Sequence, residues 1–187
     1  MLIYKIIKNI KWMFLKRKMC YAGSNSRVGI DFSVSGCEYI SIGKNFRGGK
    51  HIIIDAIDKY NGKPTDYSPV LKIGDNVTLT DNCYISCCNE IIIGDGCLFG
   101  ANSFVCDNSH GNLSKEERTI IPSKRNLYSK GPIHIGSSVW IGRNVCIMPN
   151  VTIGNNVVIG ANSVVTHNVP DDVIIAGTPA KILKIIE

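Results

Sequence analysis

An aliphatic residue recurs at every sixth position along most of this chain, and in many repeats a glycine follows it directly. The longest run of these positions is Ile135, Ile141, Ile147, Ile153, Ile159 and Val165. Four positions after each comes a small or β-branched residue: Val139, Val145, Val151, Val157, Ser163 and Val169. An earlier run is Ile73, Leu79, Ile85, Ile93, Phe99 and Val105, and a fainter start is Val28, Val34 and Ile42. A period of six is too short for a pair of helices, so each repeat predicts one short strand and one turn.

One such strand buries nothing by itself. The repeats must therefore stack in coils, so that their aliphatic residues form ladders inside a narrow core. Glycines and the asparagines Asn76, Asn144 and Asn156 suit the left-handed backbone of the corners between strands. The expected fold class is an all-β solenoid in one elongated domain, with coils that rise ~4.8 Å each.

Two segments interrupt the repeat, at residues 55–69 and 107–132. Long loops in a regular solenoid are usually functional. We expect three regions: a basic amphipathic segment over residues 1–27, the β-solenoid over 28–170 with both loops, and a tail over 171–187 that packs on the solenoid.

The charge is concentrated at the start of the chain. Residues 1–27 hold seven Lys and Arg and no acidic residue, whereas the net charge of the whole chain is +6. The remainder is therefore nearly neutral, which argues against a nucleic-acid-binding protein. Residues 1–19 have near-helical spacing, and Ile3, Ile6, Ile7, Ile10 and Phe14 can share one face of that helix. Two interpretations stay open: the helix caps the open end of the solenoid, or it makes a peripheral contact with an anionic membrane.

The eight cysteines do not indicate a disulfide framework. The apolar stretch at the start is broken by lysines, unlike a secretory signal, and no run of ~18 apolar residues is present. Cys83 and Cys97 fall at positions of small core residues, which predicts reduced thiols in a cytoplasmic protein. The group Cys83, Cys87 and Cys88 lacks a second Cys or His pair at zinc-binding spacing, so no metal site is expected.

Three segments resemble motifs of the hexapeptide-repeat acyltransferases. They are Pro132–Gly136 with its continuation Val139–Gly142, the closing stretch Ile175–Lys181, and Asp107–Gly111, which is similar to an Asp-x-x-His-Gly segment of that family. The resemblance covers residues 70–184 well and 28–69 loosely, and is nearest to the branch that O-acetylates sugars and bacterial surface polysaccharides. It implies a left-handed parallel β-helix with three hexapeptides per coil. It also implies a homotrimer that binds acetyl-CoA, the acyl donor, between neighbouring solenoids.

His110 is the candidate catalytic residue. It follows Val105 by five residues and opens the second interruption, and it shares with the family's catalytic histidine its offset from Ile93-Gly94. The resemblance implies a general base, since a neutral hydroxyl attacks a thioester poorly and neutral imidazole can take its proton. Direct attack in a ternary complex requires no Ser or Cys nucleophile.

Further site residues are implied by the resemblance alone. Backbone N–H groups at Gly142 and Arg143 would stabilise the oxyanion, and the Arg143 side chain would meet a coenzyme phosphate. The expected donor-binding residues are Gly142, Arg143, Gly160, Ala161, Thr166, His167 and Lys184. The expected acceptor-binding residues are Thr80, Asn82 and Trp140, and the last also suits a subunit contact.

Glu90 falls near the same stacked corner and is a candidate to orient His110. His51, His134 and His167 have no catalytic spacing and are interpreted as structural or surface residues.

The predicted function is acetyl-CoA-dependent O-acetylation of a sugar, a nucleotide sugar or a lipid-linked glycan, at the cytoplasmic side of the membrane if the membrane interpretation holds. The alternatives are an amino-sugar N-acetyltransferase, an antibiotic acetyltransferase and a non-catalytic hexapeptide solenoid. A carbonic-anhydrase-like solenoid would need three clustered histidines, and a serine acetyltransferase a long helical N-terminal domain. Neither pattern is in this sequence.

Overall fold

The computed structural model describes residues 2–112 and 114–186, with side chains from residue 9 onward. Helix α1, Leu2–Lys18, opens the chain. Each of six successive coils then contributes one strand to each of three parallel sheets. The fold is the predicted left-handed parallel β-helix.

The strands of sheet A are β1 (Tyr21–Ala22), β4 (Ile40–Ile42), β9 (Val70–Ile73), β12 (Glu90–Ile93), β17 (Ile133–Ile135) and β20 (Val151–Ile153). Those of sheet B are β2 (Arg27–Val28), β5 (Arg47–Gly48), β10 (Thr78–Leu79), β13 (Leu98–Phe99), β18 (Trp140–Ile141), β21 (Val158–Ile159), β23 (Val173–Gly177) and β24 (Ala180–Ile185). Those of sheet C are β3 (Ser33–Ser35), β6 (Ile53–Ala56), β11 (Tyr84–Cys87), β14 (Phe104–Cys106), β19 (Cys146–Ile147) and β22 (Val164–Val165).

The two interruptions form hairpins outside the coils. The first contains β7 (Lys59–Tyr60) paired with β8 (Lys63–Pro64), and the second contains β15 (Ser109–His110) paired with β16 (Leu127–Tyr128). Three short 3-10 helices complete the structure: η1 (Cys37–Tyr39), η2 (Glu117–Thr119) and η3 (Pro122–Lys124).

The predicted ladders form the core. All six aliphatic positions from Ile135 to Val165 are buried, and so are the six positions that follow them by four residues. At the corners, Asn76, Asn144 and Asn156 have φ angles of 59°, 57° and 55°, as their residue type indicated. Side-chain amides continue the stacking outside the core, since Asn82 donates to Asn102, Asn102 to Asn144, and Asn144 to Asn162.

Helix α1 closes one end of the solenoid. Trp12 is buried and meets Phe32 edge to face with ring centroids 5.3 Å apart, while Leu15 and Met19 pack on the same cluster. The helix therefore caps the solenoid, and it does so with a different face from the one that carries Ile10 and Phe14. Ile10 and Phe14 are exposed on the opposite side of the helix. The side chains of Ile3, Ile6 and Ile7 lie outside the described residues. Within the described part of the chain, no helix combines the length and apolar character needed to cross a bilayer.

The limits of the solenoid differ from the expected 28–170. Its first strand begins at Tyr21, and β23 adds a further parallel rung on β21. The tail over 171–187 packs on the solenoid by extending sheet B. β24 then folds back antiparallel to β23 and leaves Ile182, Leu183 and Ile185 exposed. The physical reason is that β23 supplies hydrogen-bond partners to the open edge of β21.

Candidate active site

The residues of interest lie on two corners of the triangular coil. The turns after the strands of sheet C form the His110 corner, which includes Asn108–His110, Met148 and Thr166–His167. The turns after the strands of sheet B form the glycine corner, which includes Thr80, Gly100, Gly142 and Gly160.

Asp107 fixes the point at which the second interruption leaves the solenoid. Its carboxylate is fully buried and accepts hydrogen bonds from the backbone N–H groups of Cys88 (2.8 Å) and Asn89 (2.9 Å) in the coil below. The side-chain amide of Asn108 then donates to the Ser86 hydroxyl and to Asp107, both at 3.1 Å. The acidic residue of the Asp-x-x-His-Gly segment is therefore a structural anchor.

The β15–β16 hairpin holds His110 opposite Leu127. The turn away from β15 requires Gly111, whose φ is +87° and whose N–H donates to the carbonyl of Asn126. A Cβ at this position would collide with the carboxylate of Glu117 and the side chain of Arg125. The glycine that follows the histidine is thus explained by backbone geometry.

A pocket of about 430 Å³ opens beside His110. Its walls come from β11 and β14, from the start of the second interruption, and from the first interruption through Tyr60, whose ring centroid lies 5.3 Å from that of His110. The lining residues are Ile57, Tyr60, Tyr84, Ser86, Phe104, Cys106, Asn108, Ser109, His110, Leu127 and Met148. None of these side chains carries a full charge at neutral pH unless His110 is protonated.

His110 is exposed, and neither of its ring nitrogens has a hydrogen-bond partner among the described residues. Glu90, the candidate to orient it, instead places its carboxylate Oε1 2.7 Å from Nε2 of His134, which lies on the next strand of sheet A opposite Ile92. That prediction is wrong because Glu90 belongs to a strand of sheet A, after the corner from which the histidine departs. His51 pairs with Asp31 at 3.2 Å, in keeping with a surface role.

The thiols near the pocket are poor nucleophiles. Burial raises the pKa of Cys83 to about 11 and also raises the pKa of Cys87, Cys88 and Cys106 above the ordinary thiol value. These side chains therefore stay protonated at neutral pH, when only a thiolate would attack an acyl group. His110 is left as the group in the pocket that is suited to move a proton.

The glycine corner presents backbone donors. The N–H of Gly142 is already used, because it donates to the carbonyl of Ile159. The N–H of Arg143 makes no hydrogen bond among the described residues, since the coil above places Ala161 there. At the corner after sheet A, the equivalent N–H of Ser137 donates to the side-chain oxygen of Asn155 in the coil above. Ala161 has no side-chain oxygen that could accept the Arg143 N–H in the same way. Of the two predicted oxyanion donors, the structure thus leaves Arg143 available.

Thr80 and Asn82 lie one coil below His110, as expected, but on the glycine corner instead of the His110 corner. The Thr80 hydroxyl donates to the carbonyl of Phe99 at 2.7 Å, and the Asn82 amide belongs to the asparagine ladder. Within one chain, neither residue lines the pocket beside the histidine, and their role as acceptor ligands stays a prediction. The six-residue period predicted the coil of these residues correctly. A shift by one repeat of six, however, moves a residue to a different corner of the coil.

The remaining predicted residues are also spread over the surface. Trp140 is exposed on sheet B between Leu98 and Val158. Thr166 and His167 contact each other at 2.8 Å, two coils above His110 on its own corner, and Lys184 lies in β24. Gly160 and Ala161 stack directly above Gly142 and Arg143. Within one chain, the structure does not bring these residues together with His110.

Sequence reasoning missed most of the pocket wall. Tyr84 and Phe104 occupy outward positions next to ladder residues, and their rings lie 5.5 Å apart. The sequence signal that could have found them is that each directly precedes an aliphatic ladder position, Ile85 or Val105. Tyr60 had no signal beyond lying in the first interruption.

Comparisons with known proteins agree with this fold and site. Residues 132–167 match the family of bacterial transferase hexapeptides (six repeats), and residues 90–109 match the hexapeptide repeat of succinyl-transferase. The chain is 36% identical over 149 residues to WbbJ of Escherichia coli, described as a putative lipopolysaccharide biosynthesis O-acetyl transferase. That match spans 78% of this chain and 71% of WbbJ.

Solved structures show the same architecture. A hexapeptide-repeat acetyltransferase of Vibrio cholerae, complexed with acetyl coenzyme A, superposes with a TM-score of 0.61 at 26% identity and covers 96% of this chain and 78% of its own. A variant of the N-acyltransferase AntD of Bacillus cereus, with dTDP and coenzyme A, gives a TM-score of 0.75 at 22% identity, over 94% and 88% of the two chains. Together with the observed coils, these similarities show that the chain belongs to the hexapeptide-repeat acetyltransferases and is an acetyltransferase with acetyl-CoA as its acyl donor.

Proposed function

We propose that the protein transfers an acetyl group from acetyl-CoA to a hydroxyl of a sugar, in a bacterial surface polysaccharide or its precursor. The observation that carries this proposal is the uncharged pocket of about 430 Å³ with His110 at its side. A sugar presents apolar C–H faces and polar edges, which match the aromatic and the hydroxyl and amide walls of the pocket. The similarity to WbbJ favours O-acetylation.

His110 acts as the general base in this proposal. Bound acetyl-CoA supplies an acyl carbon activated by its thioester. As the acceptor oxygen bonds to that carbon and the carbon–sulfur bond breaks, a ring nitrogen of His110 takes the hydroxyl proton and then delivers it to the departing sulfur. Such proton transfer contributes ~10²–10⁴-fold to the rate. Tyr60 packs beside the imidazole and limits the positions that its ring can adopt.

The glycine corner holds the donor in this proposal. The free N–H of Arg143 donates to the acyl oxygen as negative charge develops there, and the exposed Arg143 side chain meets a phosphate. Gly142 and Gly160 keep the corner narrow, because a Cβ on either would collide with the coil above. Ala161, Thr166, His167 and Lys184 complete the donor groove.

The two corners belong to one site only if neighbouring solenoids pair them, so we propose a homotrimer with three shared sites. Trp140 and Leu98 form an exposed apolar column on sheet B, 56% and 41% exposed, which suits burial against a neighbour. The reduced thiols and the need for acetyl-CoA favour a cytoplasmic site of action. The acceptor classes to test are free sugars, nucleotide sugars and lipid-linked glycans.

The test is a thiol-release assay with acetyl-CoA over a panel of these acceptors. We expect turnover with a hydroxyl acceptor, and His110→Ala should lower kcat about 100-fold or more while the Kd for acetyl-CoA stays unchanged. His51→Ala is the matched control and should keep wild-type turnover, because His51 lies in the second coil, is paired with Asp31 of the first coil and does not line the pocket beside His110.

Two results would contradict the proposal. Wild-type turnover in His110→Ala would remove the general base. Turnover confined to amino-sugar acceptors would replace O-acetylation by N-acetylation.

A further inference from the structure

Helix α1 has two apolar faces with different roles. Trp12, Leu15 and Met19 pack on the first coils and leave no need for a second apolar face to stabilise the cap. The side chains of Ile10, Met13, Phe14 and Arg17 nevertheless point the other way and are exposed. At 3.6 residues per turn these four residues, termed the outward face, span an arc of about 100° opposite the packed face.

The exposed fractions show how little covers this face. Ile10 is 45% exposed, Met13 43% and Phe14 54%. Three large apolar side chains at positions i, i+3 and i+4 form a continuous patch, whereas single exposed residues would need no explanation. Something apolar is expected to cover them when the protein functions.

The charge around the outward face indicates what covers it. Residues 1–50, which form the helix, the first coil and the first two strands of the second coil, contain ten Lys and Arg and two Asp and Glu. Residues 51–187 contain eleven Lys and Arg and thirteen Asp and Glu. The fold therefore concentrates a net +8 at the helix-capped end and leaves the rest of the solenoid at −2. Arg27 and Arg47 lie side by side on β2 and β5 and extend the basic surface beyond the helix.

A groove next to the outward face combines both properties. It measures about 450 Å³ and is lined by Met13, Lys16, Arg17, Met19, Cys20, Tyr21 and Ala22. Its lining combines two cationic side chains with apolar ones, which fits a phosphate group that continues into hydrocarbon. Phospholipid headgroups have this chemistry, and an apolar protein partner would have no use for the cations.

We propose that the outward face of α1 docks the enzyme on an anionic lipid bilayer, with Ile10, Met13 and Phe14 among the acyl chains and the surrounding lysines and arginines at the headgroup phosphates. The face opposite the one that closes the solenoid makes the contact, so docking leaves the cap intact. The inference is independent of the acceptor and of His110, and its test requires no turnover.

The experiment measures sedimentation of the full-length protein with vesicles. Phosphatidylglycerol and phosphatidylcholine vesicles are compared, at low and at high salt. We expect binding to the anionic vesicles only, weakening as the Debye length falls from ~10 Å at 0.1 M to ~3 Å at 1 M salt. The double variant Met13→Ser/Phe14→Ser should lower the association constant about tenfold or more without lowering Tm.

Leu183→Ser is the matched control. Leu183 is 67% exposed in β24 at the far end of the solenoid, so this variant should bind vesicles like the wild type. Failure of the wild type to bind anionic vesicles at low salt would overturn the proposal. Equal binding by Met13→Ser/Phe14→Ser would also overturn it. So would a fall in oligomer mass in that variant with no change in vesicle binding, which would assign the face to a second copy of the chain.

Discussion

At the scale of single residues, Asp107 shows how the segment that carries His110 is held in place by a buried carboxylate. Its carboxylate is buried between two coils and satisfies two backbone N–H groups, at Cys88 and Asn89. Those two residues turn the third coil toward β12, and Asp107 itself starts the interruption that carries His110. One buried side chain thus joins the end of one coil to the start of the site.

Removing this anchor should affect both stability and activity. Asp107→Ala leaves the N–H groups of buried Cys88 and half-buried Asn89 without their acceptor, and we expect each loss to cost about 1–3 kcal/mol. Turnover should fall because the point at which the chain leaves the solenoid toward the β15–β16 hairpin is no longer anchored. Asp107→Asn keeps one acceptor and should recover part of both losses. Urea unfolding and thiol-release kinetics measure the two effects, and an Asp107→Ala protein with wild-type stability would contradict the anchoring role.

At the scale of elements, the site is built by the segments that break the repeat. The two interruptions contact each other: the amide of Asn61 donates to the carbonyl of Ser123 at 2.9 Å, and the N–H of Ser129 donates to the hydroxyl of Tyr67 at 3.0 Å. This contact holds the β7–β8 hairpin, and with it Tyr60, against His110. Helix α1 is the third non-repeating element, and it stabilises the opposite end of the molecule.

The cap provides the sharpest stability prediction for an element. Trp12→Ala should lower the free energy of unfolding by about 3–5 kcal/mol, because a large buried ring is lost from the Phe32–Phe46 cluster. Among the described residues, the indole Nε1 of Trp12 is the one buried side-chain nitrogen or oxygen without a hydrogen-bond partner. Trp12→Phe removes this donor and should cost less than about 1.5 kcal/mol. Denaturant unfolding measures the free energy of unfolding of both variants. Equal losses in Trp12→Ala and Trp12→Phe would show that the cap does not depend on packing.

At the scale of the whole molecule, the proposed reaction needs more than one chain. His110 and its pocket lie on one corner, while Arg143 and Gly160 lie on another. A closed cyclic trimer would bring the corner of one protomer to that of the next in three equivalent places. The same axis gives the assembly one basic end, where three α1 helices would face a single membrane.

A mixed assembly tests this arrangement. His110→Ala and Ala161→Glu should each inactivate the enzyme, the second because a carboxylate at this exposed position repels the phosphate-bearing donor. In trimers assembled from equal amounts of both variants, each shared site has about a one-in-four chance of two intact halves, so about one quarter of the wild-type turnover should return. No recovery in trimers whose mixing is verified by mass would place the whole site within one chain.

The sequence by itself determined the solenoid, its inward-facing residues, its left-handed corners and the position of His110 at the start of an interruption. These features follow from local rules, since a period of six and the backbone preferences of Gly and Asn act within a few residues. Tertiary structure decided which corner each residue occupies, as the position of Thr80 on the glycine corner and the pairing of Glu90 with His134 show. It also decided which face of α1 is buried, because only the shape of the first coil selects Trp12 over Phe14. Contacts between coils and between interruptions join residues far apart in the chain, such as Tyr60 and His110, and no local pattern encodes them.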